Sequence, residues 1–147
     1  IYRYGPGDVI ELRIEREGKL SSEFVAVRER DAASERLADM ARPETHLVPG
    51  LGILGVEVDD DVRKSFPLLR GESGVAVARR SVDGPVFEPA LLPGDVIVSL
   101  GGTPVESLEQ LREGVRELED GRAAVLQVQR GPHLLYIAFE SESGVWR

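Results

Sequence analysis

The chain has 147 residues, 41% of them apolar, enough for one complete domain with its own core and some chain to spare. Eighteen basic against twenty-six acidic side chains leave a net charge of −8, which opposes contact with phosphate backbones or anionic lipid and argues against nucleic acid as a partner. The absence of cysteine excludes a disulfide framework and any thiolate metal site, and no apolar run approaches the ~20 residues of a membrane-spanning helix.

The opening Ile1-Tyr2-Arg3-Tyr4 has no signal-peptide character and reads as a start inside a longer protein. Two alternating segments follow, Val9 to Arg16 and Glu23 to Val27, joined by a Glu17-Gly18-Lys19 turn, the pattern of a β-hairpin. The same pattern returns as Ala123 to Arg130, Gly131-Pro132 and Leu134 to Glu140, with Leu12, Ile14, Arg16 and Phe24 corresponding to Leu126, Val128, Arg130 and Tyr136. This is an internal repeat of a hairpin. An isolated two-stranded hairpin is marginal in water, so residues 1–28 are expected to be the tail of a preceding domain.

Asp31 to Met40 suits a short helix stopped by Arg42-Pro43, which makes residues 29–45 a linker. Gly50, Gly52 and Gly55 then spell G-x-G-x-x-G, a dinucleotide fingerprint only when a strand precedes it and a helix starts at the third glycine. Here prolines 43 and 49 precede, and Val56-Glu57-Val58 alternates as a strand. What remains is a loop whose backbone N–H groups form a nest for a carboxylate beside an open strand edge.

Asp59-Asp60-Asp61 opens a short helix carrying Val62, Phe66 and Leu69, followed by a buried strand, Gly74 to Ala78, and a loop with Pro85 and Pro89. Leu92-Pro93-Gly94-Asp95 turns the chain into strand Val96 to Leu100, and Gly101-Gly102 leads through Thr103-Pro104-Val105 to Ser107. Ser107 is a good N-cap for a helix from Leu108 to about Leu118, with Leu108, Leu111, Val115 and Leu118 on one stripe packed on the sheet.

That order, with Leu51-Gly52-Ile53, Gly94-Asp95-Val96-Ile97, Gly101-Gly102-Thr103-Pro104-Val105 and the Ser107 helix, resembles a PDZ domain. It is similar to the circularly permuted bacterial form of HtrA/Deg-type serine proteases, in which the strand preceding the binding loop of animal PDZ domains comes last. The resemblance covers residues 46–140 and implies a β-rich α+β fold, a partly open barrel or sandwich of five or six strands capped by two helices. Pro6-Gly7-Asp8-Val9-Ile10 to Val27 resembles the last hairpin of a first PDZ domain, and residues 141–147 form a C-terminal tail. The usual short helix before the Gly-Asp turn is replaced by Val82 to Pro89, and Val48-Pro49 stand where a basic residue often approaches the loop.

The resemblance implies a peptide-binding role without catalysis, cofactor or metal. The amides of Leu51, Gly52 and Ile53 would receive a terminal carboxylate, and the edge from Ile53 through Leu54 to Val56 would take the peptide as an added strand. Leu51 and Ile53 with Leu111 and Val115 would form a pocket for the last side chain, with Arg112 at its rim. Implied partners are C-terminal or unfolded polypeptide segments and a protease domain of the same chain in the periplasm or cell envelope, with homo-oligomerisation through the parent protein. The same module attached to an intramembrane metalloprotease or a secretion scaffold, or a packing domain with an occluded groove, are the alternatives.

His46, Asp59 and Ser73 occur in the order of a catalytic triad, but such a triad needs a rigid scaffold and an oxyanion hole, and Gly71 to Gly74 is needed as the turn into a strand. His133 follows a turn proline and is expected in solvent. Asp59-Asp60-Asp61 lacks the spaced ligands of a calcium loop and is explained by helix N-terminal charge. Arg70, Arg79 and Arg80 form no basic stripe.

Overall fold

The computed structural model describes residues 8–26, 32–118 and 121–141. The sequence assignments that rest on Ile1 to Tyr4, Pro6-Gly7, Val27, Asp31, Asp120 and the tail from 142 lie outside the described residues. The chain divides into two compact units at 31/32.

In the first unit, β1 (Val9–Arg16) pairs antiparallel with β2 (Lys19–Ala26) from Val9↔Ala26 to Arg16↔Lys19. Glu17 and Gly18 close the hairpin with φ of 54° and 74°, the two positive values of the turn whose twist matches the flanking strands. Its described side chains are all exposed or half-exposed.

The second unit begins with α1 (Ala32–Met40), which buries Ala33 and Leu37. The Arg42-Pro43 stop expected from the sequence is also a start. Arg42 is extended, with ψ 128°, and Pro43 opens α2 (Pro43–His46) at a first-turn position where its missing N–H has no helical partner to lose. Next come β3 (Leu47–Val48), a 3-10 turn (Pro49–Leu51), β4 (Ile53–Glu57), α3 (Asp60–Ser65), β5 (Val75–Arg80), β6 (Phe87–Glu88), β7 (Val96–Leu100), β8 (Thr103–Pro104), α4 (Leu108–Arg116), β9 (Ala123–Arg130) and β10 (His133–Glu140). The strands lie in the order β3-β4-β5-β7-β9-β10-β6, antiparallel throughout, with β8 on β7.

Period-two alternation in β5 supplies both faces of this sheet. Val75 and Val77 join the larger core with Ile97, Leu126, Val128 and the α4 residues Leu108, Leu111 and Val115. Ala76 and Ala78 point the other way, into a second cluster with Leu37 of α1 and Val62 of α3. The sheet is thus covered by α4 on one face and by α1 and α3 on the other, the β-rich α+β architecture expected, with α1 part of the domain rather than of a linker.

The Leu92 to Asp95 turn is held by a buried ion pair. Asp95 is 1% exposed, and its two oxygens accept Nε–H and Nη2–H of Arg130, each at 2.7 Å. Its Oδ2 also accepts the Leu92 amide, while Arg130 Nη2 reaches the Ala90 carbonyl. The hydrogen bond to Asp95 raises the Arg130 pKa above its ordinary value, against the opposing effect of burial.

Candidate functional site

The loop from Pro49 to Gly52 is shaped by close approach. A Cβ on Gly50 would lie 2.2 Å from Val115 Cγ1, and one on Gly52 would lie 2.9 Å from the Gly84 Cα. Gly52 has φ 60°, the left-handed region that favours glycine. Gly55 lies inside β4, where a Cβ would come within 2.5 Å of Val75 Cγ1. The G-x-G-x-x-G spacing therefore brings a loop and a strand against α4 and β5, and no helix starts at its third glycine.

The expected carboxylate seat is partly engaged by the chain itself. The Gly52 N–H donates to the Pro49 carbonyl at 3.1 Å, and the Gly52 carbonyl accepts the Ser81 amide at 2.7 Å. Ile53 pairs with Val48 on one side and Arg80 on the other.

Leu51, Ile53, Leu111 and Val115 come together, all buried in the larger core. Val48, fully buried, belongs to the same cluster. Leu54 and Val56 do not join them, because alternation along β4 turns their side chains toward the second cluster beside Leu37 and Val62. Ahead of them, Glu57 accepts the Leu108 amide through Oε1 at 2.8 Å, fixing the start of α4 over the end of β4. Ser107 caps the same helix by accepting the Gln110 amide.

Arg112 reaches the segment that precedes the glycine loop. From α4 its Nε donates to the Leu47 carbonyl at 2.9 Å, and its Nη2 donates to the Thr45 carbonyl at 2.5 Å. Leu47 pairs with Leu54 and Val48 with Ile53, so β3 lies along the outer edge of β4 beneath α4. Thr45, Leu47 and Val48 are contributors that sequence reasoning missed. A strand of two residues has no period to detect, and Pro49 made the segment read as loop.

Two of the three triad candidates, His46 and Asp59, are engaged elsewhere. His46 Nδ1 accepts the Arg42 amide at 2.9 Å, and Asp59 Oδ1 accepts the Val62 amide at 2.8 Å as the cap of α3. Asp61 pairs with Lys64 at 3.2 Å in the same helix. Among the described residues no group of three or more His, Asp or Glu side chains comes together to hold a metal. Among them, too, no helix is long and apolar enough to cross a membrane.

The family model for the PDZ domain matches residues 49–139. A DegP-like periplasmic serine endoprotease of Halomonas elongata is 28% identical over 138 residues, covering 94% of this chain and 28% of that protein. One from Pseudomonas savastanoi pv. phaseolicola is 38% identical over 80 residues, covering 54% of this chain and 16% of that protein. The chain thus spans less than a third of these relatives. The HtrA-type protease AlgW, solved with a decapeptide, superposes with a TM-score of 0.53 at 21% identity, over 91% of this chain and 41% of that one. With the antiparallel sheet, the glycine loop and α4 packed across β4, these matches place the chain in the PDZ domain family.

Proposed function

We propose that this PDZ domain is the non-catalytic peptide-binding module of an HtrA-like serine protease of the cell envelope, and that it takes extended apolar segments, C-terminal tails among them, as an added strand on β4. The protease domain would belong to the same parent chain, and capture of such segments would recruit substrate or regulate cleavage. The likeness to DegP-like periplasmic endoproteases supports the parent and the compartment, and the decapeptide named with AlgW supports the class of ligand.

One observation carries the reading. The space between β4 and α4 accommodates an extended backbone, paired with β4 on one side and held by the Arg112 guanidinium through two carbonyl oxygens on the other. Contacts of that kind address the main chain and leave sequence preference to the pocket that Val48 occupies. Each ladder bond contributes about 0.5 to 1.5 kcal/mol net, so an added strand gives micromolar rather than nanomolar binding.

The test is a titration with a labelled apolar decapeptide carrying a free carboxylate. Methylating backbone nitrogens one at a time should weaken binding at alternate positions, as a strand pairing on one edge requires; a flat profile would sink the β4 assignment. Amidating the C-terminus should weaken binding at least about tenfold, ~1.4 kcal/mol, if a terminal carboxylate is recognised. The full burial of Val48 favours a second reading, a packing domain with an occluded groove, which predicts no binding by any peptide.

A further inference from the structure

We infer that the chain supplies its own occupant for this cleft: Thr45 to Val48 lies where a partner segment would bind, and a partner binds by displacing it. The inference rests on the functional reading above and adds how the site is regulated.

The segment has the attributes of a docked strand. It runs antiparallel to β4, with Leu47 opposite Leu54 and Val48 opposite Ile53, and heads into the 3-10 turn at Pro49. Val48 is 0% exposed among Leu51, Ile53, Leu111 and Val115, whereas Leu47 is 41% exposed, so one side chain anchors while its neighbour faces water. Arg112 grips only carbonyl oxygens of this segment, at Leu47 and Thr45, contacts that any extended chain in the same register could replace.

The segment is also weakly built. Its pairing is two residues long, α2 before it is a single turn that buries no residue and has no side-chain cap, and Pro49 after it has no N–H to donate. Short elements with few buried groups are the parts of a fold that open locally while the rest stays intact. Release of residues 42–48 would leave β4, the glycine loop and α4 in place. The affinity seen by a partner is then the intrinsic affinity scaled by the fraction of molecules in which the segment is out. The occupant defines the ligand class as well: an extended segment with a β-branched aliphatic residue under α4, preceded by one facing solvent.

The native chain contains no cysteine, so Leu47→Cys with Leu54→Cys introduces two thiols at directly opposed ladder positions and no others. The probe is a labelled peptide Glu-Thr-His-Leu-Val with a free carboxylate, the sequence of residues 44–48. Reduced protein should bind it, and oxidised protein, with its disulfide verified by mass, should bind at least tenfold more weakly until reductant is added. In a second variant, Val48→Gly removes the anchor and should tighten binding at least tenfold. In the native chain, saturating peptide should speed amide exchange in β3 by tenfold or more while β5 is unchanged. Equal affinity in both redox states, unchanged exchange in β3, or a thiol pair that will not oxidise overturns self-occupancy and leaves the peptide-binding reading standing. Absence of binding by the reduced pair and by Val48→Gly alike overturns both.

Discussion

Gly50 and Val115 meet so closely that no side chain fits between the loop and α4: a Cβ on Gly50 would stand 2.2 Å from Val115 Cγ1. Gly50→Ala must push the loop off the helix or the valine off its rotamer, an overpacking cost of ~1 to 3 kcal/mol. Urea unfolding should show that loss, and a variant as stable as the native chain would mean the contact is looser than described. Asp95 poses the opposite problem, a buried charge whose partners are all specific. Asp95→Ala strands the Arg130 guanidinium and the Leu92 amide together, and breaking a buried pair from one side costs ~3 to 5 kcal/mol. Arg130 retains partial exposure and its bond to the Ala90 carbonyl, so the expected loss lies near the low end, about 3 kcal/mol. A loss below about 1 kcal/mol in the same experiment would show that water replaces the carboxylate easily.

At the scale of elements, α4 is both a wall of the cleft and a large part of the core. Leu111 is 0% exposed, and Leu111→Ala should destabilise the domain by ~2 to 5 kcal/mol and weaken peptide binding in parallel, because the helix can no longer hold its distance from β4. Stability lost with binding retained would place the cleft elsewhere. This helix was legible in the sequence, because Ser107 and the Leu108, Leu111 and Val115 spacing declare both its start and its buried face. Strands β4, β9 and β10 were legible from period two, and β5 and β7 as short apolar runs bounded by turn residues, whereas β3, β6 and β8, each two residues long, exist only through what they pair with. The clustering of Leu51, Ile53, Leu111 and Val115 followed from the same periodicities. The contact between β3 and α4 did not, because Arg112 and Leu47 are 65 positions apart and no local pattern joins them. Alternation also assigns Leu54 and Val56 to the face opposite Ile53, so their place in the second cluster is a consequence of the strand itself.

At the scale of the whole molecule, the two units differ in how they bury surface. In β1 and β2 no described side chain is buried, and Val9, Leu12, Ile14, Leu20, Phe24 and Val25 are all exposed. In the second unit β5 runs four consecutive buried residues, Val75 to Ala78. A hairpin of hydrogen bonds without a buried face is marginal in water, and the hydrogen-exchange protection of a strand follows the apolar surface that must be exposed to open it. Amides of β1 and β2 should therefore exchange within about tenfold of an unstructured peptide, while those of β5 and β9 exchange only at the rate set by unfolding of the whole second unit. Matched protection in both units would mean that the hairpin shares the second unit's cooperative unfolding. Poor protection, together with the apolar side chains it exposes, accords with a hairpin that completes a neighbouring domain, the role proposed for it from the repeat of its pattern in β9 and β10.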